Sequence, residues 1–258
     1  MGYDELIRDA LATPFEGWDF GVFHGRMTDD GDLPWDYEAL VRERLPAASS
    51  LLDLGTGGGE LLASLAPLPS RTAATEGHPP NLPVARARLA PLGVEVVAAG
   101  GTLPFPDGSF ELVVNRHTSY DPSEVRRVLA DGGTFVTQQV AGRDLEEINQ
   151  VLGGPPHEGR DWDLDSACAE LDVVWRQEAT YTTTFHDVGA LVLFLRVISW
   201  QVPDFDVDRY ADRLRALHAD MERGRPLRAT ARRFALLARS DGKVTSVRRR
   251  SCSEAGSS

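Results

Sequence analysis

The most constraining feature of the chain is residues 51–60, which read Leu-Leu-Asp-Leu-Gly-Thr-Gly-Gly-Gly-Glu. An apolar run of strand length leads into glycines at alternate positions, and apolar residues at helical spacing (Leu61, Leu62, Leu65) follow at once. The segment therefore predicts a strand, a tight turn and a helix. Glycine lets backbone approach a ligand closely, and a helix N-terminus adds amide donors and partial positive charge. We expect a seat for a polar or anionic ligand; a turn without a ligand is the alternative.

The glycine spacing separates two ligand classes. A dinucleotide site would require Gly or Ala at position 60, where the carboxylate of Glu60 would oppose a pyrophosphate. Asp53 stands two residues before the first glycine and completes an Asp-x-Gly-x-Gly-x-Gly run. This run resembles motif I of the class I S-adenosylmethionine-dependent methyltransferases. The resemblance implies that the turn holds the amino-acid part and the ribose of that cofactor, through Asp53, Gly55, Thr56, Gly57 and Gly59.

Strand and helix patterns alternate after the turn. Strands are predicted at 71–76, 94–98, 111–115 and 134–140, with helices at 81–92 and 122–129. This alternation predicts a doubly wound, mostly parallel sheet whose ligands bind beyond the carboxyl ends of the strands. Glu76 ends one strand at a distance from the turn that suits recognition of ribose hydroxyls. A solvent-facing glutamate is the alternative.

Two further motifs make the resemblance more specific. Residues 103–110 with 113–117, and residues 124–129 with 132–135, resemble the Leu-Pro-Phe and Arg-Val-Leu-x-x-Gly-Gly signatures of the small-molecule methyltransferase branch, and the match covers residues 48–141. It implies a Rossmann-like, seven-stranded fold. Many members carry Asp where this chain has Ala99, so we expect backbone and apolar contacts to hold adenine here. The further cofactor contacts implied are Glu76, Gly77, Ala99, Gly100, Leu103, Asn115 and Arg116.

The segments outside this core are predicted to shape an acceptor chamber. We predict an N-terminal helical and aromatic cap at 1–46, a core at 47–241 with a helical insertion at 185–229, and a disordered tail at 242–258. Residues 15–37 form an irregular loop whose aromatic load favours a lid, although the aromatics could instead anchor the loop to the core. The insertion is interpreted as a substrate lid; a dimer interface is the alternative.

His117 is the candidate general base, because it follows the fourth strand and imidazole titrates near neutrality. A loop or helix-cap histidine is the alternative. Gln138 and Gln139 end the fifth strand, and strand alternation directs one of them inward. The candidate acceptor contacts are Trp18, Trp35, Tyr37, Tyr120, Gln139 and Trp200.

Charge and composition restrict the partners. The net charge of -12 argues against a large nucleic-acid surface. The six histidines are scattered, so no metal site is predicted. Widely spaced cysteines and no apolar block long enough for a signal or a membrane span favour a cytoplasmic protein. We expect metal-independent methylation of a small or medium-sized acceptor by a monomer or homodimer. The alternatives are a nucleotide-dependent oxidoreductase and a non-catalytic S-adenosylmethionine-binding protein.

Overall fold

The computed structural model describes residues 1–15, 20–155 and 164–240, and these divide into two compact units. The first unit contains residues 1–15, 20–34, 141–155 and 179–233. The second unit contains residues 35–140, 164–178 and 234–240. The predicted cap therefore contributes residues up to 34 to the first unit, and the predicted tail after residue 241 lies outside the described residues.

Helices and strands alternate along most of the chain. The helices are α1 Tyr3–Ala12, α2 Tyr37–Arg42, α3 Glu60–Ser64, α4 Asn81–Leu89, α5 Pro122–Val128, α6 Glu146–Leu152, α7 Leu164–Cys168, α8 Val188–Val197 and α9 Ala211–Glu222. The strands are β1 Met27–Asp29, β2 Ser50–Leu54, β3 Arg71–Glu76, β4 Glu95–Ala98, β5 Phe110–Arg116, β6 Leu129–Val140, β7 Asp172–Phe185 and β8 Leu227–Arg239. No helix within the described ranges combines the length and apolar character that a bilayer span requires.

The strands form one sheet in the order β1-β7-β8-β6-β5-β2-β3-β4. Five neighbouring strands are parallel to one another, namely β6, β5, β2, β3 and β4. Strand β1 is antiparallel to β7. Strand β8 runs against β6: Ser240 exchanges backbone hydrogen bonds with Gly132 and Gly133, and Ala141 donates to Arg232. The mixed α/β, mostly parallel fold is thus confirmed, with one strand more than predicted.

The additional strand corrects the prediction of an irregular loop over residues 15–37. Met27 pairs with Phe185 and Asp29 with Thr183, so β1 lies at one edge of the sheet. Strand β1 is only three residues long, and just one of them is even partly buried. So short an edge strand leaves no alternation of apolar residues for a sequence pattern to reveal.

The core of the second unit explains why its strands read as continuous apolar runs. Every residue of β2 is buried, as expected for a parallel strand with both faces covered. Leu51, Leu112 and Val136 from three neighbouring strands pack with Val41 of α2 and Leu89 of α4. The core fixes the register of the sheet, and with it the polar residues at the strand ends.

The first unit has an apolar core of its own. Helix α8 is buried over most of its length, and its buried leucines cluster with Leu6 of α1, Ile148 of α6 and Leu214 of α9. Asp187 caps α8 by accepting from the Ala190 N–H at 2.9 Å. Both helices of the predicted insertion are therefore present, at α8 and α9.

Candidate active site

The glycine-rich turn after β2 requires glycine for conformation and for space. Gly55, Gly57 and Gly59 have φ of +70°, +62° and +82°, a region that other residues seldom adopt. A Cβ at Gly55 would lie 2.3 Å from Thr118 Oγ1, and one at Gly59 would lie 2.8 Å from Leu89 Cγ. The backbone can therefore form this turn only without side chains at these positions.

Glu76 is fixed by the backbone of the turn that it faces. The glutamate ends β3 and is buried. Its Oε2 accepts from the Gly57 N–H at 2.7 Å, and its Oε1 accepts from the His78 N–H at 2.6 Å. A carboxylate oxygen can accept a second hydrogen bond. Glu76 is thus held in place while both of its oxygens retain capacity for the hydroxyls of a ligand.

Several polar groups beside the turn are buried with incomplete hydrogen bonding. The pKa of Asp53 is raised to about 6, chiefly by burial, with a hydrogen bond from the Thr56 hydroxyl lowering it and the nearby Glu76 carboxylate adding to the rise. Burial also raises the pKa of Tyr37, and the charge of Asp53 adds to this rise. The Arg116 guanidinium, 5.9 Å from the Tyr37 ring, acts in the opposite direction. Within the described residues, neither the Tyr37 nor the Thr56 hydroxyl makes a hydrogen bond of regular geometry. Buried polar groups that are so weakly bonded have capacity for a further partner.

The loop after β4 lies against the residue that follows Glu76. Ala99 donates its N–H to the Glu76 carbonyl at 3.2 Å, and a Cβ at Gly77 would lie 3.3 Å from the Gly100 Cα. The backbone of residue 77 and that of residues 99–100 therefore lie in close contact. This is where the sequence predicts that backbone replaces the missing aspartate side chain.

Helix α5 holds the Leu-Pro-Phe loop in position. The Leu103 N–H donates to Glu124 at 2.7 Å, and Arg127 donates to the carbonyls of Leu103 and Phe105 at 2.9 and 2.7 Å. Arg127 also pairs with Asp107 and Glu124, and its hydrogen bond lowers the pKa of Glu124 to about 2. The two sequence signatures are thus parts of one structural arrangement.

In the structure, Glu60 has a partner of opposite charge. Its carboxylate forms a close ion pair with Arg88, which also donates to the Gly58 carbonyl. A neighbouring guanidinium offsets much of the negative charge that would oppose a pyrophosphate. The glycine spacing therefore disfavours a dinucleotide more than the charge of Glu60 does.

His117 lies just after β5 and contacts Gln138 twice. Its backbone N–H donates to the Gln138 carbonyl at 2.9 Å, and its Nε2 lies 2.9 Å from Gln138 Nε2. The Gln138 side-chain oxygen accepts from Trp35 Nε1 at 2.8 Å, and the Trp35 ring packs edge-on against Trp175. Trp35 and His117 were both predicted site residues, and Gln138 connects them.

Gln139 is directed into a buried network instead. Its amide nitrogen donates to Thr137 Oγ1 at 2.8 Å, to the Thr118 carbonyl at 3.1 Å and to Asn115 Oδ1. The Asn115 amide donates to the Leu54 carbonyl at 3.0 Å. The structure therefore places Gln138 beside His117, whereas the amide group of Gln139, the predicted acceptor contact, donates within the sheet. A cofactor contact at Asn115 would fall to its backbone.

The remaining predicted acceptor residues are Tyr120, Trp200 and Trp18. The Tyr120 hydroxyl donates to the Ala167 carbonyl at 2.9 Å, and burial raises its pKa. Trp200 belongs to the first unit and is 52% exposed, and Trp18 lies outside the described residues. Over residues 1–15, 20–155 and 164–240, no cluster of His, Cys, Asp or Glu is arranged to hold a metal ion.

Comparisons with known proteins agree with this geometry. The profile of the family described as "Methyltransferase domain" matches residues 52–137, which include the glycine-rich turn, Glu76 and His117. A release factor glutamine methyltransferase of Mycolicibacterium smegmatis is 38% identical over 141 residues, which are 52% of this chain and 44% of that protein. The chain thus matches less than half the length of that relative.

Solved structures share the fold. A functionally unknown protein from Deinococcus radiodurans R1 has a TM-score of 0.56 at 20% identity, covering 92% of this chain and 98% of its own. A candidate methyltransferase from Bacillus halodurans C-125 has a TM-score of 0.52 at 18% identity, covering 75% and 93%. The chain thus carries a match to a methyltransferase domain at residues 52–137 and shares its mixed α/β fold with these solved structures.

Proposed function

We propose that the protein transfers a methyl group from S-adenosylmethionine to a small or medium-sized acceptor, without a metal ion. The observation that carries the proposal is the Glu76 carboxylate, which the N–H groups of Gly57 and His78 hold at the glycine-rich turn. A buried acid supported in this way suits two neighbouring ribose hydroxyls, because each of its oxygens can accept one more hydrogen bond.

The residues present fit this cofactor on structural grounds. The buried hydroxyls of Tyr37 and Thr56 and the buried Asp53 lie beside the turn and would receive the polar amino-acid part. Backbone at Gly77 and Gly100 would hold adenine, with Leu103 as apolar contact, in place of the aspartate that many family members use. When bound, the cofactor supplies an already activated methyl group on a positively charged sulfur.

The work left to the protein is alignment, exclusion of water and control of protons on the acceptor. His117 is the candidate residue beside the acceptor, since it follows β5 at the same end of the sheet as the turn. To serve as a base, the ring needs an available lone pair, whereas its Nε2 already contacts Gln138. Proton removal by His117 Nε2 would therefore require this contact to open.

The acceptor is proposed to be small because the net charge of -12 argues against a large nucleic-acid surface. The Mycolicibacterium smegmatis relative is named for a glutamine in a protein, and its similarity covers 44% of its length. A protein side chain as acceptor is therefore the second candidate, and the same calorimetry precedes a test of either acceptor class.

Isothermal titration calorimetry with S-adenosylmethionine and S-adenosylhomocysteine tests the proposal, with NADH as the comparison ligand. We expect heat from both adenosyl compounds and none from NADH. Binding of NADH alone would favour the oxidoreductase alternative. If the adenosyl compounds bind, a screen of acceptors for S-adenosylhomocysteine release follows, and binding without release from any acceptor would favour a non-catalytic role.

A further inference from the structure

A chain of three hydrogen-bonding side chains connects distant parts of the sequence in the second unit. Trp35 precedes α2, Gln138 lies in β6 and His117 follows β5. Trp35 Nε1 donates to Gln138 Oε1 at 2.8 Å, and Gln138 Nε2 lies 2.9 Å from His117 Nε2. The order of the chain is therefore indole, amide, imidazole.

The indole fixes the direction of every hydrogen bond in this chain. An indole N–H can only donate, so the Gln138 atom that faces Trp35 must be the amide oxygen. The other end of the amide is then the NH₂ group, which can only donate to the imidazole. His117 Nε2 must accept, and it can accept only when it carries no proton. A neutral imidazole with an unprotonated Nε2 carries its proton on Nδ1.

The backbone supports the same arrangement. His117 has a φ of +60°, which is uncommon for a residue with a side chain, and its N–H donates to the carbonyl of Gln138 at 2.9 Å. The imidazole and the backbone of His117 thus both bond to one residue. On the opposite side, Trp175 packs edge-on against Trp35 with ring centroids 6.4 Å apart, which orients the indole.

We propose that Trp35 and Gln138 are positioning residues that hold His117 as a neutral imidazole with its proton on Nδ1. His117 then acts as a hydrogen-bond donor through Nδ1, and not as the general base. The consequence for catalysis rests on the proposed function, whereas the protonation pattern of the free protein does not. Arg116 is next in sequence to His117, and its guanidinium lies over the Tyr37 ring at 5.9 Å.

Nuclear magnetic resonance of protein labelled with ¹⁵N in its histidine rings tests the proposal without cofactor. A His117→Asn variant assigns the His117 signals by their loss. Long-range proton–nitrogen correlations then show which ring nitrogen carries the proton. In the unsubstituted protein near neutral pH we expect protonated Nδ1 and unprotonated Nε2. A protonated Nε2 would overturn the proposal.

Two variants and a control test the cause. Gln138→Glu places an acceptor beside Nε2, so we expect Nε2 to become protonated and the His117 titration midpoint to rise by about one pH unit or more. Trp35→Phe lets the Gln138 amide turn its oxygen toward the imidazole, so we expect a smaller rise in the same direction. Trp175→Phe keeps the indole donor and should leave the tautomer unchanged.

The outcomes are distinct from failure of the proposed function. An unchanged tautomer and midpoint in Trp35→Phe would overturn the proposal even if Gln138→Glu does not fold, because this substitution removes the donor that orients the amide. A protein that binds no adenosyl compound but shows the expected tautomer would disprove the cofactor assignment and leave the positioning chain intact.

Discussion

The two sides of the candidate site are built in different ways. On the cofactor side, backbone N–H groups of Gly57 and His78 hold Glu76, and all three residues lie within 21 positions in the sequence. On the acceptor side, the bonds join side chains, and Trp35 lies 103 residues from Gln138. The cofactor side is thus a local, backbone-made structure, whereas the acceptor side exists only once the sheet has assembled. The two sides should respond differently to substitution.

The largest expected effect is that of Glu76→Ala on cofactor affinity. The substitution removes an acceptor for ribose and leaves the Gly57 and His78 N–H groups without their partner. Hydrogen bonds to a charged group contribute about 1.5–3 kcal/mol each, so we expect S-adenosylmethionine affinity to fall by about 100-fold or more by calorimetry.

His117→Ala is the matched control from the acceptor side. We expect its cofactor affinity to stay within about threefold of the unsubstituted protein, while turnover falls once an acceptor is known. Equal losses of affinity in the two variants would remove the distinction between the two sides.

A pair of glycine substitutions separates backbone conformation from close packing. Gly55 and Gly93 both have positive φ, but only a Cβ at Gly55 meets side-chain atoms, those of Thr118. Backbone strain costs about 1 kcal/mol at either position, and overpacking adds about 1–3 kcal/mol at Gly55 alone. Urea denaturation should therefore show a loss of about 1 kcal/mol for Gly93→Ala and about 2–4 kcal/mol for Gly55→Ala.

Thr118→Gly supplies the rescue for this pair. It removes all three atoms that the new Cβ would meet, so the double variant with Gly55→Ala should recover the packing part of the loss. No recovery in the double variant would mean that the turn resists substitution for conformational reasons only.

Asp53→Asn tests whether the cofactor side is built at the expense of stability. The folded pKa of about 6 lies above the ordinary value of 3.8, so the folded protein binds this proton more tightly than the unfolded chain. Stability therefore falls as pH rises from about 4 to about 6, and the full cost of about 2–3 kcal/mol applies above that range.

The asparagine variant carries no such charge. We expect it to be about 2 kcal/mol more stable than the unsubstituted protein at about pH 8, with the gain vanishing near about pH 4, while it binds S-adenosylmethionine more weakly. Urea denaturation across this range is the measurement. A difference that does not vary with pH would show that the carboxyl is not buried as described.

The smallest expected effect compares two consecutive arginines of α5. Arg127→Met removes donors to the Leu103 and Phe105 carbonyls and should cost about 1–2 kcal/mol in urea denaturation. Arg126→Met breaks an exposed pair with Asp172 and should cost about 0.5 kcal/mol or less. Equal effects would mean that the Leu-Pro-Phe loop does not depend on α5.

The cofactor side could be predicted from the sequence because its determinants are short-range. Gly55, Gly57 and Gly59 are needed for one turn, and Glu76 follows at the end of the next strand, so spacing alone brings them to one edge of the sheet. The alternation of strands and helices predicted the mostly parallel sheet for the same reason.

The acceptor side could not be predicted to the same depth. Period-two alternation states that Gln138 and Gln139 point to opposite faces, but both are buried in a sheet covered on both sides, so burial does not identify the inward one. The orientation of Gln139 is set by Asn115 and Thr137, which accept hydrogen bonds from its amide nitrogen within the sheet. Such pairings depend on register between strands, which no local pattern contains.

The attachment of the Leu-Pro-Phe loop to α5 has a consequence for exchanging parts between relatives. A graft of residues 103–110 alone would arrive without Arg127 and Glu124, and its carbonyls would face a foreign helix. Engineers who wish to transplant the loop should therefore move the loop and the helix together as one unit.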